Sequence, residues 1–328
     1  VTAAPRSDTV LAALLADLPD GLDVRAATSD DADDFVALVQ RCDLAAVGEL
    51  DSGSEEIAGM LESPDMDRDA SVAVRDGDEL VMLVWIERDG TQRETWVDVY
   101  VDPPRSRELA PAGFAHGLRV ARSHRDAAGT EWTARTGCFA TDEALISAVE
   151  GAGFVRERRF WRMRIDLTSA PLPEQAPLPP GVVVRTVDDE AGRRAVHAVA
   201  QESFRDHWNH GERDFDSWMQ VLESLGLDDP GGWWLLEVDG VPAAVCLLDE
   251  SRAELGDGFV RTLGVLREYR GRGLAQELLE RSFRYYRDRG RAGVQLSVDS
   301  DSPTGANHLY EKVGMRPVRI IDAFAQTL

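Results

Sequence analysis

Apolar and polar positions along the chain fall into short stretches of two kinds. Some alternate, or run apolar, between turn residues and read as strands: Ser71–Val74, a turn at Asp76-Gly77, then Leu80–Ile86. The same grammar returns as Trp234–Val238, Asp239-Gly240 and Ala243–Leu248. Other stretches place apolar residues at helical spacing, as at Leu274, Leu278, Leu279 and Phe283. Leu22-Asp23-Val24-Arg25 before an Asp-rich helix start reappears as Val182-Val183-Val184-Arg185 before Asp188-Asp189-Glu190. Each half then gives a strand, Trp96–Val101 or Phe259–Val265, that runs into an arginine-rich loop and an amphipathic helix. Each closes with a strand, a helix and an alternating final strand, Arg156–Leu167 or Arg316–Leu328. The offset drifts only from 160 residues (Arg25 to Arg185) to 165 (Leu109 to Leu274). That regularity predicts two copies of one α/β domain.

Between Thr168 and Gly181 five prolines remove amide donors and favour extended backbone. The expected organisation is a first domain over 1–168, a linker over 169–181 and a second domain over 182–328. A chain of 328 residues can give both domains their own cores. Charge narrows the partners: 36 Lys+Arg against 59 Asp+Glu leave a net −23, which repels phosphate backbones and anionic headgroups. Neither nucleic acid nor a membrane surface is expected as a partner; a neutral or cationic small molecule is. Lys312 is the only lysine. Cys42, Cys138 and Cys246 stand far apart, without the spacing of a disulfide framework or a metal site. No metal is therefore expected. The stretch from Val10 to Leu18 reads as a short amphipathic helix, and no segment approaches the ~20 apolar residues that cross a bilayer. These features make cytoplasmic the expected location.

The chemistry concentrates where the strand ending Leu263-Gly264-Val265 leads to Arg270-Gly271-Arg272-Gly273-Leu274-Ala275 and a helix. Two glycines at a strand-to-helix turn let the backbone approach a ligand, and the unpaired amides of the helix start converge outward on an anion. Arg270 and Arg272 are expected to add countercharge. The spacing fits neither the phosphate loop that needs Gly-Lys-Ser/Thr nor a dinucleotide fingerprint of three glycines after strand one.

These residues resemble motif A of the GNAT superfamily of N-acetyltransferases, Gln/Arg-x-x-Gly-x-Gly/Ala, with Arg270, Gly273 and Ala275 in the matching places. A second stretch resembles its motif B: a strand Val294–Val298, a polar loop Asp299–Gly305, then Ala306-Asn307-His308-Leu309-Tyr310-Glu311-Lys312-Val313-Gly314-Met315. The likeness covers nearly all of residues 181–328. It implies, for each copy, a mostly antiparallel, splayed central sheet flanked by helices. It implies acetyl-CoA as co-substrate, its pyrophosphate on the amides from Gly271 to Ala275 and its pantetheine arm along Leu263, Gly264 and Val265. It also implies Tyr310 as general acid, since a thiolate leaving a thioester needs a proton and a phenol can deliver one. The loop carries Ser302, Pro303 and Thr304 where the family often has an Asn for the cofactor arm; Ser302 and Asn307 are the candidates to substitute.

In the first half, Arg105-Ser106-Arg107-Glu108-Leu109-Ala110 falls on the glycine turn, and Val149 falls on Tyr310. Ser106 puts a Cβ where φ > 0 is expected, and Glu108 a carboxylate where the pyrophosphate would lie. This copy is expected to be non-catalytic. Glu254, Asp257, His207 and His210 are candidates for the base that deprotonates the acceptor amine; Phe204, Trp208 and Trp218 are candidates for an acceptor pocket or for core. The expectation is an acyl-CoA-dependent N-acyltransferase that moves acetyl to the primary amine of a small molecule by direct attack. The alternatives are a non-catalytic acetyl-CoA-binding module, or an enzyme like the tandem members of the family whose second copy acts on a cysteinyl amine.

Overall fold

A computed structural model describes residues 7–169, 172, 177–227, 230–302 and 305–328. Residues 170, 171 and 173–176 of the expected linker, and Pro303 and Thr304, lie outside the described residues. In chain order the elements are α1 (Ser7–Asp17), β1 (Asp23–Ala26), α2 (Ala32–Val47), α3 (Ser54–Met60), β2 (Val72–Asp76), β3 (Glu79–Asp89), β4 (Glu94–Val101), α4 (Ser106–Ala128), β5 (Thr133–Phe139), α5 (Glu143–Gly151) and β6 (Val155–Asp166). They continue as β7 (Val182–Thr186), α6 (Glu190–Phe204), α7 (Phe215–Ser224), β8 (Trp233–Val238), β9 (Val241–Asp249), β10 (Asp257–Val265), α8 (Leu274–Asp288), β11 (Gly293–Asp299), α9 (Ala306–Lys312) and β12 (Arg316–Thr327). Among the described residues no helix is long and apolar enough to cross a membrane.

The chain forms two compact units, but their limits are not those expected from the proline-rich segment. One holds Val1–Phe160 with Ile320–Leu328, the other Trp161–Arg319. The reason is strand pairing. Ile321–Thr327 of β12 pairs antiparallel with Thr133–Phe139 of β5, so the last strand of the chain completes the first unit's sheet. Asp322, 4% exposed, holds it there through a bidentate pair with Arg159 at 2.7 and 2.8 Å, which keeps the Asp322 carboxyl below its ordinary range. Likewise the later part of β6 lies beside β11 and completes the second unit's sheet.

The two sheets share a plan. The first unit runs β1-β2-β3-β4-β5-β12, and the second β7-β8-β9-β10-β11-β6. Each contains a parallel pair, β4 with β5 in the first and β10 with β11 in the second. Both faces are covered, which explains why the strands read as apolar runs. Along β8 and β9, Trp234, Leu236, Ala244 and Cys246 face α8 and α9, while their neighbours Trp233, Leu235, Val245 and Leu247 face α6 and α7. In the first unit α1, α4 and α5 pack on one face and α2 and α3 on the other.

Candidate active site

The site of the second unit begins with an interruption in pairing. β10 and β11 are in register only over Asp257–Phe259 and Gly293–Gln295. Beyond Phe259 β10 keeps β9 as its partner, with a bulge that leaves Arg261 between the pairs Val260–Leu248 and Thr262–Leu247. Bulges add twist and end pairing on one side. The edge of β10 that faces β11 is therefore open from Thr262 to Val265, and its backbone groups are available to an extended ligand. Sequence reasoning missed the bulge, because Arg261 carries no turn signature.

The chain then makes a short turn over Arg267–Tyr269 and enters α8 through Gly271 (φ +77°) and Gly273 (φ +79°, ψ 4°). A Cβ at either glycine would meet nothing within 4 Å, so the backbone angle, not crowding, calls for glycine. Gly273 is the N-cap of α8 and offers no side-chain acceptor. In contrast, Asp189 caps α6 on the Gly192 amide at 2.6 Å, and Asp214 caps α7 on the Ser217 amide at 3.0 Å. The first-turn amides of α8 thus lack both an intrahelical partner and a capping carboxylate. An oxyanion set there would gain about 1.5–3 kcal/mol per charge-assisted bond.

Arg270 is not the countercharge expected of it. Its guanidinium folds back to donate to the carbonyls of Val265 (3.1 Å) and Ser203 (3.0 Å), tying the turn to the ends of β10 and α6. A cation over the last carbonyls of α6 is also favoured by the helix dipole. Arg272 is exposed, donates to the Glu268 carbonyl at 3.2 Å and lies 5.1 Å over the Tyr269 ring.

Tyr310 lies on α9 and is 7% exposed. Its neighbour Cys246 is the cross-strand partner of Leu263, which sets the phenol beside the open stretch of β10. Burial, with a smaller contribution from Cys246, pushes the phenol pKa above its ordinary value, so the group stays a neutral donor. Asn307 donates from Nδ2 to the Ser300 carbonyl at 2.8 Å, fixing α9 against the end of β11, while its Oδ1 is buried with no partner among the described residues. Ser302 sits in a tight turn: its amide donates to Asp299 at 3.1 Å and its carbonyl accepts from Gly305 at 3.2 Å. Its partners in the expected motif, Pro303 and Thr304, lie outside the described residues.

The four base candidates separate. Asp257 is buried, held by Arg164 at 2.7 and 2.9 Å and by Gln295 at 2.7 Å. It stands at the opposite end of β10, about 23 Å from Gly264 at ~3.3 Å per strand residue. Glu254, exposed in the turn Ala253–Leu255 just before it, is at that same far end. Neither therefore stands beside the glycine turn or the open stretch of β10. His207, by contrast, follows α6, its amide donating to the Phe204 carbonyl at 2.8 Å and its ring 4.5 Å from that of Phe204. Burial first, then the Arg270 charge, lowers its pKa, with Asp299 opposing. His207 is thus the candidate gathered with the turn and the end of β11. His210 donates its amide to the His207 carbonyl at 3.3 Å. Phe204 reaches the site: a Cβ on Gly264 would lie 3.3 Å from its ring and 2.9 Å from Ser203 Cβ. Trp208 is half-buried in the same loop, and Trp218, also half-buried, packs on the α6–α7 core with its ring tilted 5.2 Å from that of Trp233.

The first unit keeps the opening, with β4 and β5 in parallel register only over Glu94–Trp96 and Thr133–Arg135. It does not keep the turn. α4 starts at Ser106, directly after the turn Pro103–Arg105, and Ser106 has φ −55°. The expected strain at Ser106 is absent because a helical turn replaces the loop. Glu108 sits in that turn, β4 pairs with β3 without a bulge, and Val149 is core. Among the described residues no group of His, Cys, Asp and Glu could hold a metal ion.

Comparison with known proteins agrees with this geometry. The model of the acetyltransferase (GNAT) family matches residues 193–315. A mycothiol acetyltransferase of Thermobispora bispora is 31% identical over 246 residues, 73% of this chain and 77% of that one. Among solved structures, a GCN5-related N-acetyltransferase from Sphaerobacter thermophilus superimposes with a TM-score of 0.74 at 26% identity, over 94% of this chain and 96% of that chain. A tandem GNAT protein from the clavulanic acid biosynthesis pathway gives 0.72 at 18% identity, over 93% and 98%, a likeness of fold alone.

Proposed function

Because the chain belongs to the GNAT family and is an N-acetyltransferase, we propose that its second unit transfers acetyl from acetyl-CoA to the primary amine of a small molecule, and that the first unit has no cofactor site. The fit to acetyl-CoA rests on three features of this unit. The amides from Gly271 to Ala275 are uncapped at a helix start and take the pyrophosphate. The open edge of β10 at Leu263, Gly264 and Val265 takes the pantetheine amides, with the orphan Oδ1 of Asn307 a further acceptor. Tyr310 belongs to the core cluster against which Leu263 and Val265 of that edge pack.

The acceptor enters from the Phe204–His210 side. His207, neutral at pH 7, removes a proton from the ammonium directly or through one water. The amine nitrogen attacks the thioester carbonyl, a C–N bond forms and the C–S bond breaks. Tyr310 protonates the departing thiolate and is reprotonated by the second proton that the acylated nitrogen gives up. Cys246 is fully buried with its thiol pKa raised, so it is no covalent nucleophile and the transfer is direct. The observation that carries the reading is the meeting of an uncapped glycine turn, an unpaired strand edge and a buried phenol.

The likeness to mycothiol acetyltransferases favours a narrower acceptor, the cysteinyl amine already expected as an alternative. The test is thiol release from acetyl-CoA over a panel of amines that includes cysteine-terminated glycoconjugates. Turnover on small primary amines supports the reading. Cofactor binding without turnover on any amine overturns it.

A further inference from the structure

A groove of about 690 Å³ in the second unit is lined by none of the residues placed at the glycine turn, the open edge of β10 or the His207 loop. It follows the flank of α8 from Gln276 to Arg284 and is closed by the α9–β12 turn and the end of β6. Ile165, Phe283 and Val313 give it an apolar lining. The polar side chains are sorted by charge. The Lys312 ammonium donates to a neutral acceptor, Gln276 Oε1, at 3.0 Å. The Arg316 guanidinium donates to the carbonyls of Glu311 (3.1 Å) and Met315 (2.8 Å). Neither cation has a carboxylate partner among the described residues. The acids of the groove are engaged: Asp166 with the Thr168 amide (2.8 Å) and hydroxyl (2.7 Å), and Glu280 with Gln276 Nε2 at 2.8 Å. In a chain with net charge −23, two cations left to neutral partners at one apolar groove are unusual. Their charge is complementary to an anion, and the volume suits a drug-sized molecule.

We propose that this groove binds an amphipathic organic anion, its carboxylate, sulfonate or phosphate head between Lys312 and Arg316 and its apolar body against Ile165, Phe283 and Val313, at a site separate from that of acetyl-CoA. The anionic head is the shared chemistry; an adenine nucleotide and a non-nucleotide metabolite are its two possible sources. The apolar lining favours the non-nucleotide.

The test uses the full chain saturated with acetyl-CoA and titrated calorimetrically with 2-naphthoate, naphthalene-2-sulfonate, 2-naphthyl phosphate and the neutral 2-naphthamide. At least one anion should bind at one per chain, about tenfold or more tighter than the amide, and lose about tenfold in Lys312→Glu/Arg316→Glu. Because Lys312 is the only lysine, amine acylation read by peptide mass gives a second measurement on the unsubstituted protein: the bound anion should slow labelling of Lys312. Equal affinity for acid and amide, or no binding of any of the three anions below about 1 mM, would overturn the proposal. Displacement by acetyl-CoA or by adenosine 3′,5′-bisphosphate would overturn it too, and would assign the groove to the nucleotide.

Discussion

Gly273 is the position at which backbone and ligand requirements can be separated. Its φ of +79° costs an L-residue about 1–2 kcal/mol, and a Cβ there meets nothing within 4 Å. Gly273→Ala therefore loses backbone ease and nothing else. If the free turn relaxes out of the left-handed region and must return to it on binding, acetyl-CoA affinity falls by the strain, about five- to thirtyfold. Gly273→Glu adds a carboxylate among the amides that take the pyrophosphate. With two amide bonds lost at about 1.5–3 kcal/mol each, affinity falls beyond a hundredfold. Gly290 is the control: φ +76°, nothing within 4 Å, at the other end of α8, its amide donating to Arg287 at 2.9 Å. Gly290→Ala imposes the same strain 17 residues away and should lower the melting temperature without changing affinity. Calorimetric titration with acetyl-CoA, alongside thermal melts of all three, decides. Unaltered affinity in Gly273→Glu, or an equal loss in Gly290→Ala, would refute the assignment of the turn.

Tyr310→Phe should lower kcat about a hundredfold or more while leaving acetyl-CoA affinity unchanged, as expected of a proton donor; an unchanged kcat argues for a purely structural ring. Burial and the Arg270 charge both disfavour the protonated imidazole of His207, so its pKa lies below the usual 6.5. The acidic limb of kcat/KM should therefore fall below pH 6.5, and His207→Gln should flatten it while lowering the plateau; a limb above 6.5 contradicts the role. Asp257→Asn should cost on the order of 2–3 kcal/mol in a denaturant melt, less than the 3–5 of a fully buried pair because Arg164 is 30% exposed. Its kcat/KM should be that of the parent protein, and a large fall would return Asp257 to the list of bases.

Most of the fold could be read from sequence because both faces of each sheet are buried. Strands such as β9, with every residue from Ala243 to Asp249 buried, stand out from their flanks. The glycine turn and Tyr310 were legible for the same reason: they depend on local letters. The rest depends on partners far along the chain. That β12 completes the first unit's sheet follows from pairing with β5 and the Arg159–Asp322 contact, which no periodicity shows. Asp257 looked like a base because it precedes the central strand; Arg164, 93 residues earlier, turns it into a clasp. Arg270 looked like countercharge, and the Ser203 carbonyl, 67 residues earlier, claims it. Chemistry set by one segment was readable, whereas chemistry set by two segments was assigned to the wrong residue or the wrong role.

The first unit shows how such a site is lost without strain. From Val101 to Leu109 is eight residues, and from the equivalent Val265 to Leu274 is nine. With one residue fewer, the chain leaves β4 and winds directly into α4, so Ser106, Arg107 and Glu108 are helical where Gly271 to Gly273 are a loop. The left-handed glycine loop ahead of the helix is gone, and the β4 edge lacks the bulge that accompanies the open edge of β10. Restoring the letters alone should not restore the site. Ser106→Gly/Glu108→Gly places two glycines in a helical first turn, at a cost of up to about 1 kcal/mol each, and should still give one acetyl-CoA per chain by calorimetry. Two sites per chain in that variant would mean that the missing glycines, and not the missing residue, silenced the first copy.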